Sequence, residues 1–148
     1  MENSVQQLAS RWKRLGGALI DTLLMMVIAL PIMMVIGIFP SQGQRMTFGQ
    51  HILGSVIGLI IFLCLHGYFL AKSGQTIGKK IVKTRIVNLD GEICPFAKMF
   101  LLRYAVLWII TIIPIIGNIY GLVNVLFVFG KEKRCIHDYI AGTRVVDA

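Results

Sequence analysis

Four apolar runs divide the chain, and polar or basic segments separate them. They cover about residues 14–37, 52–70, 97–114 and 115–129. A helix needs about 20 apolar residues to cross the hydrocarbon core of a bilayer, which the first three runs approach or exceed. The fourth run is shorter, so a thin span and a re-entrant partner of the third both remain open. We predict an all-α membrane protein with four transmembrane helices, forming one domain.

The composition supports a membrane protein. The 148 residues are 56% hydrophobic and only 15% charged, whereas soluble domains carry about 25% charged residues. A net charge of +8 in a soluble chain would suggest a nucleic-acid partner. Here the basic residues cluster between apolar runs, so we expect no nucleic acid. The first run is too long for a signal-peptide core and predicts a retained helix.

The basic residues predict the orientation. Three precede the first run, seven lie in the loop 71–96 and the start of the third run, and four lie in the tail 130–148. The other two connections hold only Arg45. With four spans, fourteen of the fifteen Lys and Arg residues are therefore on one side. The positive-inside rule makes this side, with both termini, cytoplasmic.

The middle loop and the tail share one pattern. Ile77 and Ile81, with lysines between them, predict a short interfacial helix that turns its lysines toward anionic lipid. The following residues 84–87 predict a strand. Matching spacing in the tail predicts a second short helix and a strand at 143–146. We infer two copies of a unit made of a helix hairpin, a short helix and a strand, and we expect the two strands to pair. The alternative is that the two segments are not repeats and share only an amphipathic pattern.

Glycines recur at spacings that suit helix packing. Each even-numbered run begins with a GxxxG pair, and another glycine lies on the charged face of the first run. Small residues let helix backbones approach closely. The predicted packing positions are Gly17, Gly54, Gly58, Gly117 and Gly121.

Asp21 is the main candidate for chemistry, because it lies inside the first apolar run. Seven residues are about two helical turns, so Arg14, Gly17 and Asp21 share one face. A carboxylate near the centre of a membrane helix costs about 2.5 to 3.5 kcal/mol. Asp21 is either a site that exchanges a proton and a cation, or a structural pair with Arg14, Arg103 or another donor. Arg14 can also extend to the cytoplasmic headgroups.

Other polar residues are supporting candidates. Asp138 in the tail is either a cap at a helix N-terminus or a cytoplasmic gate that pairs with Arg14 or Arg103. Asn124 is either a packing residue or part of a polar path with Asp21 and Thr111. His137 lies beside Asp138, but no second cluster accompanies the pair, so we expect neither a metal nor a cofactor.

The sequence resembles a known family in three separated motifs. They are Arg14 with Asp21 in the first run, residues 74–79 with the following strand, and residues 136–143. These motifs resemble the RDD family of bacterial membrane proteins, whose arginine and two aspartates correspond to Arg14, Asp21 and Asp138. The resemblance implies a bacterial cytoplasmic membrane protein. It also implies transport of unidentified ligands, with sodium/proton exchange suggested for some members.

We therefore expect a small transporter or ion-translocating protein that handles a proton or a small cation. A homo-oligomer is expected, since four short helices enclose little room. The alternative is a non-transport scaffold, in which Arg14, Asp21 and Asp138 lock the tail to the bundle as a docking platform for a partner or anionic lipid. The sequence offers no nucleophile with a base and no set of metal ligands, so we do not expect an enzyme.

Overall fold

Two long apolar helices form the first half of the protein. The structure is a computed structural model and describes residues 7–39, 44–130 and 134–148. Helix α1 spans Arg11–Ile36 and α2 spans Phe48–Ser73, each with 26 residues. Each is about 39 Å long, and their mean hydropathies are 2.5 and 2.2. Both are long and apolar enough to cross a bilayer.

Polar caps extend these helices beyond the predicted apolar runs. The Ser10 side chain accepts a hydrogen bond from the backbone N–H of Lys13 at the start of α1. Thr47 and Gln50 form a reciprocal capping box at the start of α2. Because caps satisfy the free N–H groups of a first turn, each helix begins before its apolar run. Helix α1 also continues through Pro31.

The second half contains a hairpin of shorter helical segments. Residues 96–111 are helical throughout, with a π-helical stretch in the middle. Each arm of the hairpin is about 24 Å long, and in the described part of the chain only α1 and α2 meet the length criterion for a span. The segments are α4 (Phe96–Met99), the π-helical Phe100–Ala105, α5 (Val106–Thr111), α6 (Pro114–Leu126) and the 3-10 turn Phe127–Phe129.

Two short helix-strand units complete the fold. Helix α3 (Ile77–Ile81) precedes β1 (Thr84–Asn88), and α7 (Ile136–Ala141) precedes β2 (Thr143–Asp147). The strands pair antiparallel, which confirms the predicted strand pair. Ile86 lies opposite Val145 at the centre of the register. These two residues hold equivalent positions in the predicted repeat, so the pairing has the symmetry of a twofold axis through the sheet.

The buried core lies where this sheet meets the ends of the helices. It includes Ile86 and Val145 from the strands, Leu70 from α2 and Met99 from α4. In contrast, much of the apolar surface of α1 and α2 is exposed, as at Val27, whose side chain is 70% exposed. Exposed apolar area of this extent is the surface that lipid covers in a membrane protein.

The predicted packing glycines differ in their surroundings. A Cβ at Gly17 or Gly58 would lie within about 3.1 Å of a side chain, so both allow close packing. Gly54 makes ordinary contacts with α1, and Gly117 is buried. A Cβ at Gly121 would meet no described atom within 4 Å, so the packing role of Gly121 stays a prediction.

Candidate functional site

Asp21 is held by the first turn of α3. The Thr76 hydroxyl donates a hydrogen bond to Asp21 Oδ2, and the Gly78 backbone N–H donates to Oδ1 at 2.7 Å. Thr76 is also the N-cap of α3, since its side chain accepts from the backbone N–H of Lys79. The carboxylate therefore satisfies free donors of a helix N-terminus, where negative charge is stabilising.

Two glycines allow this contact. A Cβ on Gly78 would overlap the Gly17 carbonyl oxygen and lie 2.8 Å from Asp21 Oδ1. A Cβ on Gly17 would lie 3.1 Å from the Val82 side chain. The two glycines let α1 and α3 approach this closely, and this approach places the Asp21 side chain of α1 against the first turn of α3.

His66 and Lys79 complete the surroundings of Asp21. His66 Nε2 lies 3.8 Å from Asp21 Oδ1, and Lys79 Nζ lies 4.0 Å from Oδ2. The fully buried His66 ring accepts a hydrogen bond at Nδ1 from the backbone N–H of Ile77. A neutral ring that accepts at Nδ1 carries its proton on Nε2. That Nε2 has no hydrogen-bond partner among the described residues.

These contacts decide between the partners considered for Asp21. Asp21 faces groups of α2 and α3 and the cap of α3, and its described contacts include neither Arg14 nor Arg103. They also correct the predicted orientation of α3. Lys79 faces the protein and Asp21, while the exposed Lys80 lies over the Phe69 ring with its Nζ 4.5 Å from the ring centre.

Asp138 forms a second, fully buried cluster. Arg14 Nη2 donates to Asp138 Oδ2, and Arg103 Nη1 donates to Oδ1. The backbone N–H of Cys135 also donates to Oδ2 at 3.1 Å. Asp138 lies inside the first turn of α7, where it both caps α7 and pairs with arginines. Asp138 is therefore both a helix cap and the partner of Arg14 and Arg103, as the two interpretations of this residue proposed separately.

The strand and tail reinforce this cluster. Arg103 Nη1 donates to the Thr143 hydroxyl at 3.1 Å. Arg134 donates to the backbone carbonyls of Asp138 at 3.2 Å and Thr143 at 3.1 Å. Arg103 itself lies in the π-helical stretch, where the wider turn changes the direction of its side chain relative to an α-helix. The cluster therefore joins α1, the π-helical stretch, α7 and β2.

Asn124 ties α6 to α7. Its Oδ1 accepts hydrogen bonds from the His137 backbone N–H at 3.3 Å and from His137 Nδ1 at 2.9 Å. The described contacts of Asn124 thus lead to His137, not to Asp21. Burial lowers the pKa of His137 well below its usual value, and Arg103, Lys79 and Arg14 lower it further. The Thr111 side chain is outside the part of the chain that the structure describes.

Cys135, His137 and Asp138 have the composition of a small metal site. Their potential ligand atoms lie within 4.8 Å of one another. However, both Asp138 oxygens already accept from arginines, and Arg14 Nη2 also lies 3.8 Å from Cys135 Sγ. Because two guanidinium groups occupy the space and charge that a metal cation needs, this cluster does not fit a metal.

Two cavities follow each other along α1, and Asp21 lines the second of them. The first has a volume of about 120 Å³ and is lined by Arg14, Lys79 and the second cluster. The other has a volume of about 350 Å³ and is lined by Asp21, His66 and apolar side chains such as Trp108. Lys79 lines the first cavity and lies 4.0 Å from Asp21 in the second.

Sequence reasoning did not assign Thr76, Gly78, His66 and Lys79 to the Asp21 site. The available signal was the Thr-x-Gly spacing at the start of α3, because a hydroxyl cap followed by a free N–H is a donor set for a carboxylate. His66 offered no comparable signal, since its separation of 11 residues from Ile77 along the chain gives no indication of contact.

The two long apolar helices and the buried charges at their ends define a small membrane protein. The chain belongs to the RDD family, whose model matches residues 8–142 and so includes Arg14, Asp21 and Asp138. This confirms the predicted family. The chain is similar to the uncharacterized protein YckC of Bacillus subtilis (strain 168), with 28% identity over 141 residues that cover 95% of this chain and 85% of the relative. No solved structure matches the chain.

Proposed function

We propose that this protein is a small ion-translocating protein in which Asp21 binds a proton or a small cation. The observation that carries the proposal is that Asp21 and the unpartnered His66 Nε2 line one cavity, 3.8 Å apart. The gap is too long for a direct hydrogen bond but suits a bridging water, which accepts from the His66 Nε2–H and donates to Asp21. Ionisable residues at membrane depth commonly mark ion pathways.

Asp21 retains capacity for a ligand. Each carboxylate oxygen has two lone pairs, and the donors from Thr76 and Gly78 use one on each oxygen. A proton or cation that enters the larger cavity can therefore bind Asp21 without displacing α3. On the other side, Lys79 competes electrostatically with that cation and lies at the boundary to the smaller cavity.

A four-span topology in a bacterial cytoplasmic membrane is part of this proposal. Arg11 Nη2 donates to the Gly130 carbonyl at 3.4 Å, so the start of α1 is near the end of the hairpin's second arm. Arg45, His51 and Ile113 line a common cavity at the opposite end. These contacts support a hairpin that crosses alongside α1 and α2, with both termini cytoplasmic by the positive-inside rule.

Reconstitution of the full chain into liposomes tests the proposal. A pH-sensitive dye inside the vesicles reports proton movement when a sodium or potassium gradient is imposed. Asp21→Asn is expected to lower the initial rate by roughly tenfold or more, since it removes the charge that binds the ion. The matched control Asp147→Asn removes the carboxylate of an exposed ion pair with Lys13 and is expected to retain the rate. Unchanged flux in folded Asp21→Asn would exclude Asp21 as the carrier.

The alternative function is a membrane scaffold, and the Asp138 cluster favours it. Both Asp138 oxygens are occupied by buried arginines, which fix the tail and β2 to the helices. A rigid platform of this kind suits docking of a partner or of anionic lipid. If folded, reconstituted wild-type protein moves none of the tested ions, the scaffold is the better description.

A further inference from the structure

The smaller cavity is positively charged. Arg14, Lys79 and Arg103 all line it. Two of these cations share a single described carboxylate, because Asp138 accepts from both Arg14 and Arg103. The third cation is Lys79, and no carboxylate is among the described residues that line the cavity. The carboxylate of Asp21 lies 4.0 Å from Lys79 Nζ. The cavity therefore holds more positive than negative charge.

One guanidinium nitrogen of Arg14, a residue that lines this cavity, lacks an acceptor. The Arg14 side chain is only 6% exposed, and its Nη1 is buried without a hydrogen-bond partner in the described part of the chain. A buried charged donor without an acceptor is costly, so an acceptor from outside the protein would stabilise it. The unpaired Nη1 donor therefore favours a negatively charged group beside Arg14 over another cation.

We propose that the cavity lined by Arg14, Lys79 and Arg103 binds a small oxyanion with the chemistry of a phosphate group. Guanidinium groups bind phosphate oxygens through paired N–H donors, and a lysine adds a point charge. The volume of about 120 Å³ has room for several waters or one such group. Asn124 and His137 also line the cavity and supply further polar atoms.

The electrostatic effect on His137 agrees with this assignment. Burial is the main cause of the low His137 pKa, and the three cavity cations contribute in the same direction. A site that disfavours a proton on His137 favours an anion in the same space. The anion site is separate from the cation site proposed at Asp21, and it stands whether or not the protein translocates ions.

The test uses the full-length protein in phosphatidylcholine nanodiscs. Inorganic phosphate is titrated while thermal unfolding is followed by tryptophan fluorescence, with sodium chloride at matched ionic strength as the reference. Phosphate is expected to raise the Tm above the chloride reference. Lys79→Gln is expected to weaken phosphate binding about tenfold, the loss of one charge-assisted contact. Arg14→Lys, which keeps the charge but loses Nη1, should also weaken it.

Two controls make the result specific to the cavity. Lys80→Gln removes the same charge one residue further on, outside the cavity, and is expected to leave phosphate affinity unchanged. Asp21→Asn is expected to bind phosphate no less tightly than wild type, so a failed ion-flux proposal and a failed anion site are distinguishable. Equal loss of affinity in Lys79→Gln and Lys80→Gln would show general charge attraction and overturn the proposal.

Nanodiscs that contain phosphatidylglycerol distinguish the source of the phosphate group. If a lipid headgroup fills the cavity, these discs raise the Tm without added phosphate, and Lys79→Gln removes the increase. If the ligand is a free oxyanion, only inorganic phosphate raises the Tm. The absence of both effects relative to chloride would overturn the anion site.

Discussion

Gly78 lies directly against Gly17, and this contact brings a backbone N–H of α3 to the Asp21 carboxylate. A Cβ on Gly78 would overlap the Gly17 carbonyl oxygen, and a Cβ on Gly17 would lie 3.1 Å from the Val82 side chain. The hydrogen bond from the Gly78 N–H to Asp21 Oδ1, at 2.7 Å, depends on that proximity. The packing of α3 against α1 therefore also determines the hydrogen bonding of Asp21.

Gly78→Ala is expected to destabilise the protein. The added methyl group must displace α3 from α1, and overpacking of this kind costs about 1–3 kcal/mol. The displacement also weakens the donors to Asp21. Thermal unfolding in detergent measures the effect, with Gly67→Ala as the matched control, because a Cβ at Gly67 meets nothing within 4 Å. Equal Tm values for the two variants would contradict the close contact.

Asp138→Asn is expected to be among the most destabilising single substitutions. It leaves Arg14 and Arg103 buried, at 6% and 4% exposure, without their shared carboxylate. Loss of one partner of a buried ion pair costs about 3–5 kcal/mol. For a chain of this length, that is a decrease in Tm of roughly 10 °C or more.

The ion pair between Lys13 and Asp147 is the control for Asp138. Its Nζ and Oδ1 atoms are 2.8 Å apart, but the side chains are 45% and 34% exposed. Exposed pairs of this kind contribute at most about 1 kcal/mol. Lys13→Gln should therefore change the Tm by only a few degrees. A large decrease in Lys13→Gln and a small one in Asp138→Asn would reverse the assigned roles.

His137 is expected to make stability depend on pH. Burial keeps its pKa in the folded protein well below its usual value of 6.5, so the unfolded chain binds a proton more readily near that pH. Stability from neutral His137 is complete above about pH 6.5 and decreases as the pH falls further, because protonation favours the unfolded state. Around the ring are Arg14, Lys79, Arg103 and Asp138.

His137→Gln tests this pH dependence. The glutamine keeps a side-chain donor for Asn124 but cannot take up a proton. Unfolding measured between pH 5 and 8 should show a smaller loss of Tm on acidification than in wild type, with similar Tm values at pH 8. The same acid sensitivity in both proteins would assign the effect to other groups.

Local patterns allowed the two long apolar helices and the strand pair to be predicted from the sequence, but not the contacts of Asp21. The strand pair was predictable because Thr84 and Thr143 begin segments that match in spacing and are rich in β-branched residues. The partners of Asp21 were not, since Thr76 and His66 reach it only through tertiary packing. The arginine pairing of Asp138 was one of two interpretations, and no pattern in the chain indicated that Asp138 would bind both arginines.

The two units of the predicted repeat carry opposite charges at equivalent positions of their short helices. Lys79 and Asp138 hold equivalent positions, each two residues after the first isoleucine of its short helix. In the first unit an acid on the long helix faces the base Lys79, and in the second a base, Arg103, faces the acid Asp138. The charges are inverted between the units. Such an inversion preserves an interaction between the first helical arm of each unit and its short helix, while it makes the two cavities electrostatically different.

The proposed topology predicts which positions face each side of the membrane. Cysteines are introduced singly into a variant whose three native cysteines are replaced by alanine. Gln44→Cys lies in the connection between α1 and α2, Ile113→Cys lies at the tip of the hairpin, and Asp90→Cys lies in the turn after β1. In intact cells a membrane-impermeant maleimide should label the first two positions, whereas Asp90→Cys should react only after permeabilisation. Labelling of Gln44→Cys without Ile113→Cys, in cells where both react after solubilisation, would show that the hairpin is re-entrant, since its 24 Å arms would then end inside the roughly 30 Å hydrocarbon core.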